Sequence, residues 1–392
     1  MKKFLSLFLC ITFLIAIGSI SATAEDDKQE SPLIYGAESE ANLELAAPSA
    51  ILIEADTGTV LYCKNQTEKR EPASVTKIMT LLLVCEAIDD GRIALQDSVT
   101  ISDTAASMGG SQVFLEEGEC FSVEELLKCT VIASANDAAV ALAELISGNE
   151  ANFVAEMNSR AKDLGMVNTK FENCTGLDDT TLEHLTTAED IAIMSRELIK
   201  HDTVLKYSSL WQDSIRNGEF VLTNTNRLVR FYDGCNGLKT GSTDKAGFCV
   251  SATAKRGNMQ LIAVIMGAES RDIRNSDARA LLDYGFANFA LYEKELSDLE
   301  SVRVKGGITD FVKVYRAPFS AVVKKSDLKK VEELYDIPES ITAPVKKNDV
   351  VGSVSFYISG GEIGSCGVCV STDVERIGFF GLLAKIIKNV LS

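Results

Sequence analysis

Pro72-Ala73-Ser74-Val75-Thr76-Lys77 is followed directly by Ile78-Met79-Thr80-Leu81-Leu82-Leu83-Val84. The second run is too apolar for a helix lying on a surface, so it reads as a helix through a core. The first run places a serine three residues before a lysine at the mouth of that helix. Residues three apart lie a turn from each other on one helix face, so the lysine nitrogen reaches the serine oxygen. Burial there disfavours the lysine's charge, and a neutral lysine can take a serine proton. The same spacing also occurs at ordinary solvated helix starts. The rest of the chain has to decide between the two.

Before this stretch, Ala50 to Tyr62 reads as a hairpin: Ile51-Leu52-Ile53, a turn at Asp56-Thr57-Gly58, then Val60-Leu61-Tyr62. After it, the buried helix ends near Asp89-Asp90-Gly91, and residues 99–121 look irregular, with Gly109, Gly110 and Gly118 as punctuation. Ser122-Val123-Glu124-Glu125 is a capping box that opens a helix over Leu126 to Ile132. A second helix runs from Ala138 to Ile146. Ser134 and Asn136 therefore sit on a sharp connection between two apolar helices. Taken alone, Asn136 reads as a helix cap, a place where Asn and Asp are favoured.

Asn152 to Leu164 is a further helix, closed by Gly165. Thr187-Ala188-Glu189-Asp190 opens another through Leu198. His184 precedes it with no acidic partner marked by spacing, and reads as structural. Asn224-Thr225-Asn226 and Gly234 to Gly237 read as turns. Then comes Gly237-Leu238-Lys239-Thr240-Gly241-Ser242-Thr243, at the start of a core strand that continues into a hairpin, Phe248 to Ala254 and Met259 to Met266. A lysine, hydroxyls and a glycine at such a place make an anion-binding edge, and Gly241 lets a ligand approach the backbone. The order G-x-x-x-x-G-K-[ST] of a phosphate loop is absent. A plain surface strand end remains the other reading.

From about residue 292 the pattern turns to strand-like alternation, with Val302, Val304, Val312, Val314, Val322 and the run Val350 to Ser371. This predicts a small β-rich second domain. In the tail, Phe379, Phe380, Leu383, Ile386, Ile387, Val390 and Leu391 recur at helical spacing, with Arg376, Lys385 and Lys388 among the polar positions. The segment is too short and too charged to span a bilayer. It suits a helix lying in the membrane interface, or one docked on the protein.

Lys2 and Lys3, an apolar stretch from Phe4 to Ile20, and Ala22-Thr23-Ala24 form a secretory signal peptide over 1–24. An uncleaved anchor is the alternative reading of the same residues. Residues 25–44 are acidic and polar and read as a linker. The net charge of −17 argues against nucleic-acid partners, and removal of the leader makes the remainder more acidic still. The 10 cysteines become an odd set once Cys10 leaves with the leader, so they cannot all pair. Cys85, Cys129 and Cys249 lie among apolar residues and read as small buried hydrophobes. Cys366-Gly-Val-Cys369 has the spacing of a metal or redox pair, yet no second pair lies nearby, and the chain holds only 2 histidines. No metal or cofactor is expected.

S-x-x-K at 74–77, S-x-N at 134–136 and K-T-G at 239–241 occur in this order. Such a trio marks the serine enzymes that include class A β-lactamases and penicillin-binding proteins. Ala135 stands where the usual second motif has aspartate. The chain resembles the D-alanyl-D-alanine carboxypeptidases, the low-molecular-mass penicillin-binding proteins. The resemblance extends to Pro72-Ala73-Ser74, the H-x-T-T-A-x-D run from His184 to Asp190, Asn224-Thr225-Asn226, and K-T-G-S-T-D-K-A-G-F from Lys239 to Phe248. It also takes in the leader, the β-rich second domain and the amphipathic tail, and so spans essentially the whole chain.

The resemblance implies an α/β (α+β) fold: a transpeptidase-like catalytic domain over 45–290 with an antiparallel sheet flanked by helices, a β-rich domain over 291–374 and a membrane-anchoring helix over 375–392. It implies an exported protein at the outer face of the cytoplasmic membrane, acting on peptidoglycan stem peptides and trapped by β-lactams. Ser74 would attack the carbonyl between two terminal D-alanines, with Lys77 as base and Ser134 relaying a proton to the leaving amine. Lys239 would help lower the pKa of Lys77 by like-charge repulsion, and burial would supply the rest. Asn136 would hold a substrate amide. Lys239, Thr240 and Ser242 would bind the terminal carboxylate beside Gly241, with Arg274 as a further carboxylate ligand. The backbone N–H groups of Ser74 and Ser242 would form the oxyanion hole. An endopeptidase acting on peptide crosslinks needs the same residues, and a non-catalytic wall-binding protein could keep the same fold. A β-lactamase would need a glutamate-held water, and no E-x-x-L-N-type element lies between Asn136 and Lys239.

Overall fold

In the hairpin that precedes Ser74, every residue of Ser49–Glu54 is buried. A strand covered on both faces belongs in the middle of a sheet. The computed structural model, which describes residues 32–35, 43–178 and 181–391, places it there. Residues 1–24, read as a signal peptide, lie outside the described residues. The six-stranded sheet runs in the order Ile34–Tyr35, Thr59–Lys64, Ser49–Glu54, Met259–Ala268, Gly247–Arg256, Cys235–Thr243. All neighbours are antiparallel except Ile34–Tyr35, which pairs parallel with Thr59 and Val60. Part of the stretch read as a linker thus joins the sheet, and Leu33 is buried against it. Hydrophobic anchoring there outweighs the polar composition around it.

Side chains alternate across a strand, so this sheet has two faces to bury. Ile51 and Ile53 point into one core, which also holds the helices Lys77–Asp89, Asn136–Ser147 and Ala188–Leu198. Ala50 and Leu52 point into the other, where Leu281, Leu282 and Phe286 of the helix Arg271–Asn288 cover them. Each buried leucine contributes roughly 1.5–3 kcal/mol. The helix behind Ser74 is buried at every position from Lys77 to Cys85. Its one hydroxyl there is satisfied, since Thr80 Oγ1 donates to the Cys174 carbonyl at 2.6 Å.

Three local readings change. Within residues 99–121, read as irregular, Ser98–Thr100 pairs with Cys120–Ser122, and Asp103–Ala106 is a short helix. The capping box of Ser122 and Glu125 is present, but its helix, Val123–Lys128, widens into a π-helical turn over Cys129–Ala133 before Ser134. The K-T-G stretch lies inside the edge strand Cys235–Thr243, which also takes up Gly237, read as a turn.

The β-rich part follows the expected alternation. Val302, Val304, Val312, Val314, Val354, Phe356, Val368 and Val370 form a separate core. Five strands pack in the order Ser297–Asp298, Val314–Arg316, Gly361–Val370, Val350–Ile358, Val331–Asp336. Cys366 and Cys369 lie in one of these strands, and none of the nine described cysteines is in a disulfide. The tail is helical over Phe379–Leu391. Phe379, Phe380, Leu382, Leu383 and Ile387 of this helix are exposed, while Lys385 is paired with Asp310 of the β-rich part. Among the described residues, no helix is long and apolar enough to cross a membrane.

Candidate active site

Ser74 stands on a 3-10 turn, Ala73–Thr76, that feeds the buried helix. Two glycines shape the wall around it. A β-carbon on Gly176 would lie 1.9 Å from the Ala73 carbonyl oxygen, and one on Gly241 would lie 2.8 Å from the amide nitrogens of Ser74 and Val75. No side chain fits between these backbones. Behind the turn, the Glu172 amide donates to His184 Nδ1 at 3.0 Å, so the ring proton is on Nε2, which donates to Thr76 Oγ1 at 2.8 Å. Burial holds the imidazole neutral and pulls its pKa down to about 4. His184 is structural: it ties the serine turn to the 172–184 segment.

Lys77 is fully buried. Its Nζ lies 3.0 Å from Ser74 Oγ, 2.5 Å from Asn136 Oδ1 and 2.8 Å from the Thr175 carbonyl. Asn136 Nδ2 donates to the Gly109 carbonyl at 2.7 Å, which turns Oδ1 toward the lysine. Asn136 is therefore a partner of Lys77, not a cap: the cap position of its helix is Ala135. Burial lowers the pKa of Lys77 to about 7. A neutral amine has two N–H donors and one lone pair. The two donors match Asn136 Oδ1 and the Thr175 carbonyl, which can only accept. The lone pair is left for Ser74, whose hydroxyl can donate.

Ser134 sits directly after the π-helical turn with left-handed backbone angles, φ 64° and ψ 28°. Its Oγ accepts from Lys239 Nζ at 2.8 Å, and the same ammonium reaches the Thr240 carbonyl at 2.9 Å. Lys239 is buried, and its pKa is held well below the ordinary value by burial first, then by Lys77 and Arg274. Burial is the first cause at both lysines, and the like-charge repulsion between Lys77 and Lys239 adds to it. Thr240 Oγ1 donates to Thr225 Oγ1 at 2.8 Å. Ser74, Ser134, Thr240, Gly241, Ser242 and Arg274 all line one cleft of about 380 Å³. Lys77 and Asn136 lie behind its serine wall.

Sequence reasoning missed several residues. The Thr175 carbonyl is presented by a loop in which Asn173 Oδ1 accepts from the amides of Thr175 and Gly176. Ser111, Trp211, Thr225, Arg227 and Arg271 also line the cleft. The signal for some of them was the Asn224-Thr225-Asn226 run. There Asn226 Nδ2 donates to the Gly237 carbonyl at 2.7 Å and so pins that loop to the K-T-G strand. Among the described residues, no carboxylate lines the cleft. Asp137, next to Asn136, accepts from the amides of Val113 and Leu115 instead.

The family model for D-alanyl-D-alanine carboxypeptidase matches residues 36–270. The D-alanyl-D-alanine carboxypeptidase DacF of Bacillus subtilis is 40% identical over 98% of each chain. The chain belongs to the D-alanyl-D-alanine carboxypeptidase family. This carboxypeptidase is a serine peptidase with the mixed helix and antiparallel-sheet fold of its relatives, and its residues 286–376 match the model of the C-terminal domain of penicillin-binding protein 5. Penicillin-binding protein 5 of Haemophilus influenzae superposes on the carboxypeptidase with a TM-score of 0.76 and 31% identity, covering 86% of this chain and 99% of that one. Penicillin-binding protein D2 of Listeria monocytogenes, solved in an ampicillin-bound form, covers 63% of this chain and 100% of its own, with a TM-score of 0.58 and 32% identity.

Proposed function

We propose that this carboxypeptidase trims the terminal D-alanine from peptidoglycan stem peptides through an acyl-enzyme at Ser74. The observation that carries this reading is the donor count at Lys77. Its two obligate acceptors leave the lone pair for Ser74 Oγ, 3.0 Å away. Lys77 takes the hydroxyl proton as Oγ bonds to the carbonyl carbon between the two D-alanines. The C–N bond then breaks, and Ser134 passes a proton to the departing amine. Lys239 holds Ser134 in place for this step. Water then attacks the ester, and the shortened peptide leaves. The terminal carboxylate is held by Lys239, Thr240, Ser242 and Arg274. The amides of Ser74 and Ser242 take the oxyanion, a role in which one lost donor costs about 10²–10³ in rate.

A cleft without a described carboxylate gives water no carboxylate base for attack on a bulky ester. A β-lactam therefore forms a long-lived adduct at Ser74, and the ampicillin-bound Listeria relative supports this reading. The protein works outside the cytoplasm after its leader is removed. The Phe379–Leu391 helix rests its exposed apolar face on the outer surface of the membrane.

The test is D-alanine release from a peptide ending in D-alanyl-D-alanine, for wild type and Ser74→Ala, beside labelling with fluorescent penicillin. Release and labelling that both vanish in Ser74→Ala are expected. Release that survives the substitution would overturn the reading. Co-sedimentation with anionic vesicles, for the full chain and for a form cut before Arg376, tests the tail: equal binding by both forms removes it from the account.

A further inference from the structure

The cleft carries more positive charge than a terminal D-alanine can use. Arg227 and Arg271 line it beside Arg274, and both stand close enough to depress the pKa of Arg274 after burial has done so. No ion pair among the described residues involves any of the three. Arg274 donates through Nε and Nη2 to Asn275 Oδ1, at 3.1 and 2.9 Å. In a protein of net charge −17, three guanidinium groups line a cleft whose own lining holds no carboxylate; Asp272, which lines the neighbouring hollow, acts on Arg274 less than Arg271 and Arg227 do. A departing D-alanine brings one negative charge.

The space continues past them as well. A second hollow of about 360 Å³ opens on the far side of Arg227, which lines both cavities. Asn275, the partner of Arg274, lines this hollow. Trp211 of the cleft and Phe231 of the hollow meet edge to face, with ring centroids 6.2 Å apart. Since Arg274 is read as a ligand of the terminal carboxylate, the hollow lies on the leaving-group side of the scissile bond.

We propose that Arg227 and Arg271 form a second anion subsite that selects leaving residues carrying a carboxylate besides the α-carboxylate. This rests on the reading of the cleft given above. The bonds are those of the same reaction: the carbonyl carbon goes to Ser74 Oγ, the C–N bond breaks, and the amine takes the proton that left the serine. What changes is the leaving residue, a D-amino dicarboxylate in place of D-alanine. The hollow gives it room that the methyl of D-alanine does not fill.

Two synthetic peptides test the subsite, identical except for a last residue of D-glutamate or D-glutamine. They match in size and differ by one charge. The readout is the ratio of kcat/KM for release of the two residues. Wild type is expected to favour D-glutamate about tenfold, the scale of a charge-assisted contact. Arg227→Gln and Arg271→Gln should each bring the ratio toward one, and the corresponding Lys variants should restore part of it. The ratio is internal to each preparation, so a partly folded variant does not distort it. A wild-type ratio near one, or a ratio unaltered in both Gln variants, overturns the subsite. A third peptide ending in D-alanine separates the two levels: no release from it overturns the reading of the cleft, whereas release without charge preference overturns the subsite alone.

Discussion

Gly241 lies against the amide of Ser74 so closely that a β-carbon at 241 would sit 2.8 Å from that nitrogen. The contact is between two backbones, and neither has a flexible end to move away. Gly241→Ala should therefore push the serine turn off Lys77. A displacement of about 1 Å costs on the order of 10² in rate, and the overpacking costs roughly 1–3 kcal/mol of stability. D-alanine release together with a melting curve checks this. Wild-type rates in Gly241→Ala would mean that the turn does not depend on the fit.

Lys77 should set the acid side of the pH profile. Its pKa is lowered to about 7 by burial, and the neutral form is the base. The neutral fraction grows as pH rises through that value, so kcat/KM should climb with pH and level off above about 7. Lys77→Arg keeps the charge at every pH and should abolish acylation rather than shift the profile. A kcat/KM profile that is flat between pH 5 and 9, two units either side of about 7, would contradict this.

Asn136→Asp places a carboxylate where Oδ1 now lies 2.5 Å from Lys77 Nζ. An opposite charge at that distance favours the ammonium and raises its pKa by about 1–3 units. The acid limb of kcat/KM should move to higher pH by that amount. Part of the rate lost at neutral pH should then return in alkaline buffer. A general loss of rate with an unmoved limb would show that Asn136 acts on the substrate and not on Lys77.

His184 should make the fold sensitive to acid. Its pKa is lowered from 6.5 to about 4, so the folded state keeps it neutral while the unfolded chain takes up a proton. A group depressed in this way supports stability above its unfolded pKa, and that support is lost as pH falls from about 6.5 toward 4. The amount at stake is on the order of 3 kcal/mol. Asp190 works in the opposite sense, since burial raises its pKa from 3.8 to about 6, and it masks part of the trend in the wild type. The informative quantity is therefore the stability gap between wild type and His184→Gln. The gap should be widest near neutral pH and narrow as pH falls through 6.5. A gap independent of pH would remove His184 from the acid response.

What the sequence made legible were the features written in local pattern. The apolar run after Lys77 announced a buried helix, and the alternation around Ile51 and Val302 announced strands. The three motifs announced that distant segments meet. What stayed hidden depends on contacts through space. Nothing near Thr175 in sequence shows that its carbonyl faces Lys77, because the two are 98 residues apart. Asn136 has the composition of a cap, and only the Gly109 carbonyl on the far side of its amide turns it toward the lysine. The strand that carries Lys239 was obscured because glycine and hydroxyl residues also mark turns. Its neighbour Gly247–Arg256 supplies the pairing that its own residues do not advertise. Arg227 and Arg271 are ordinary surface residues by pattern, and only the folded loop and helix end bring them to Arg274.

The K-T-G strand, Cys235–Thr243, is the last in its sheet, so one edge of it has no neighbouring strand among the described residues. A peptide laid along that edge is pinned by its backbone, as an added strand. With the chain direction and carbonyl fixed in this way, each α-carbon has only two directions for its methyl and its hydrogen. Inverting the centre exchanges them. Handedness at the terminal residue is then read by where the backbone is fastened, and no pocket moulded to a methyl group is needed to tell a D-residue from its mirror image.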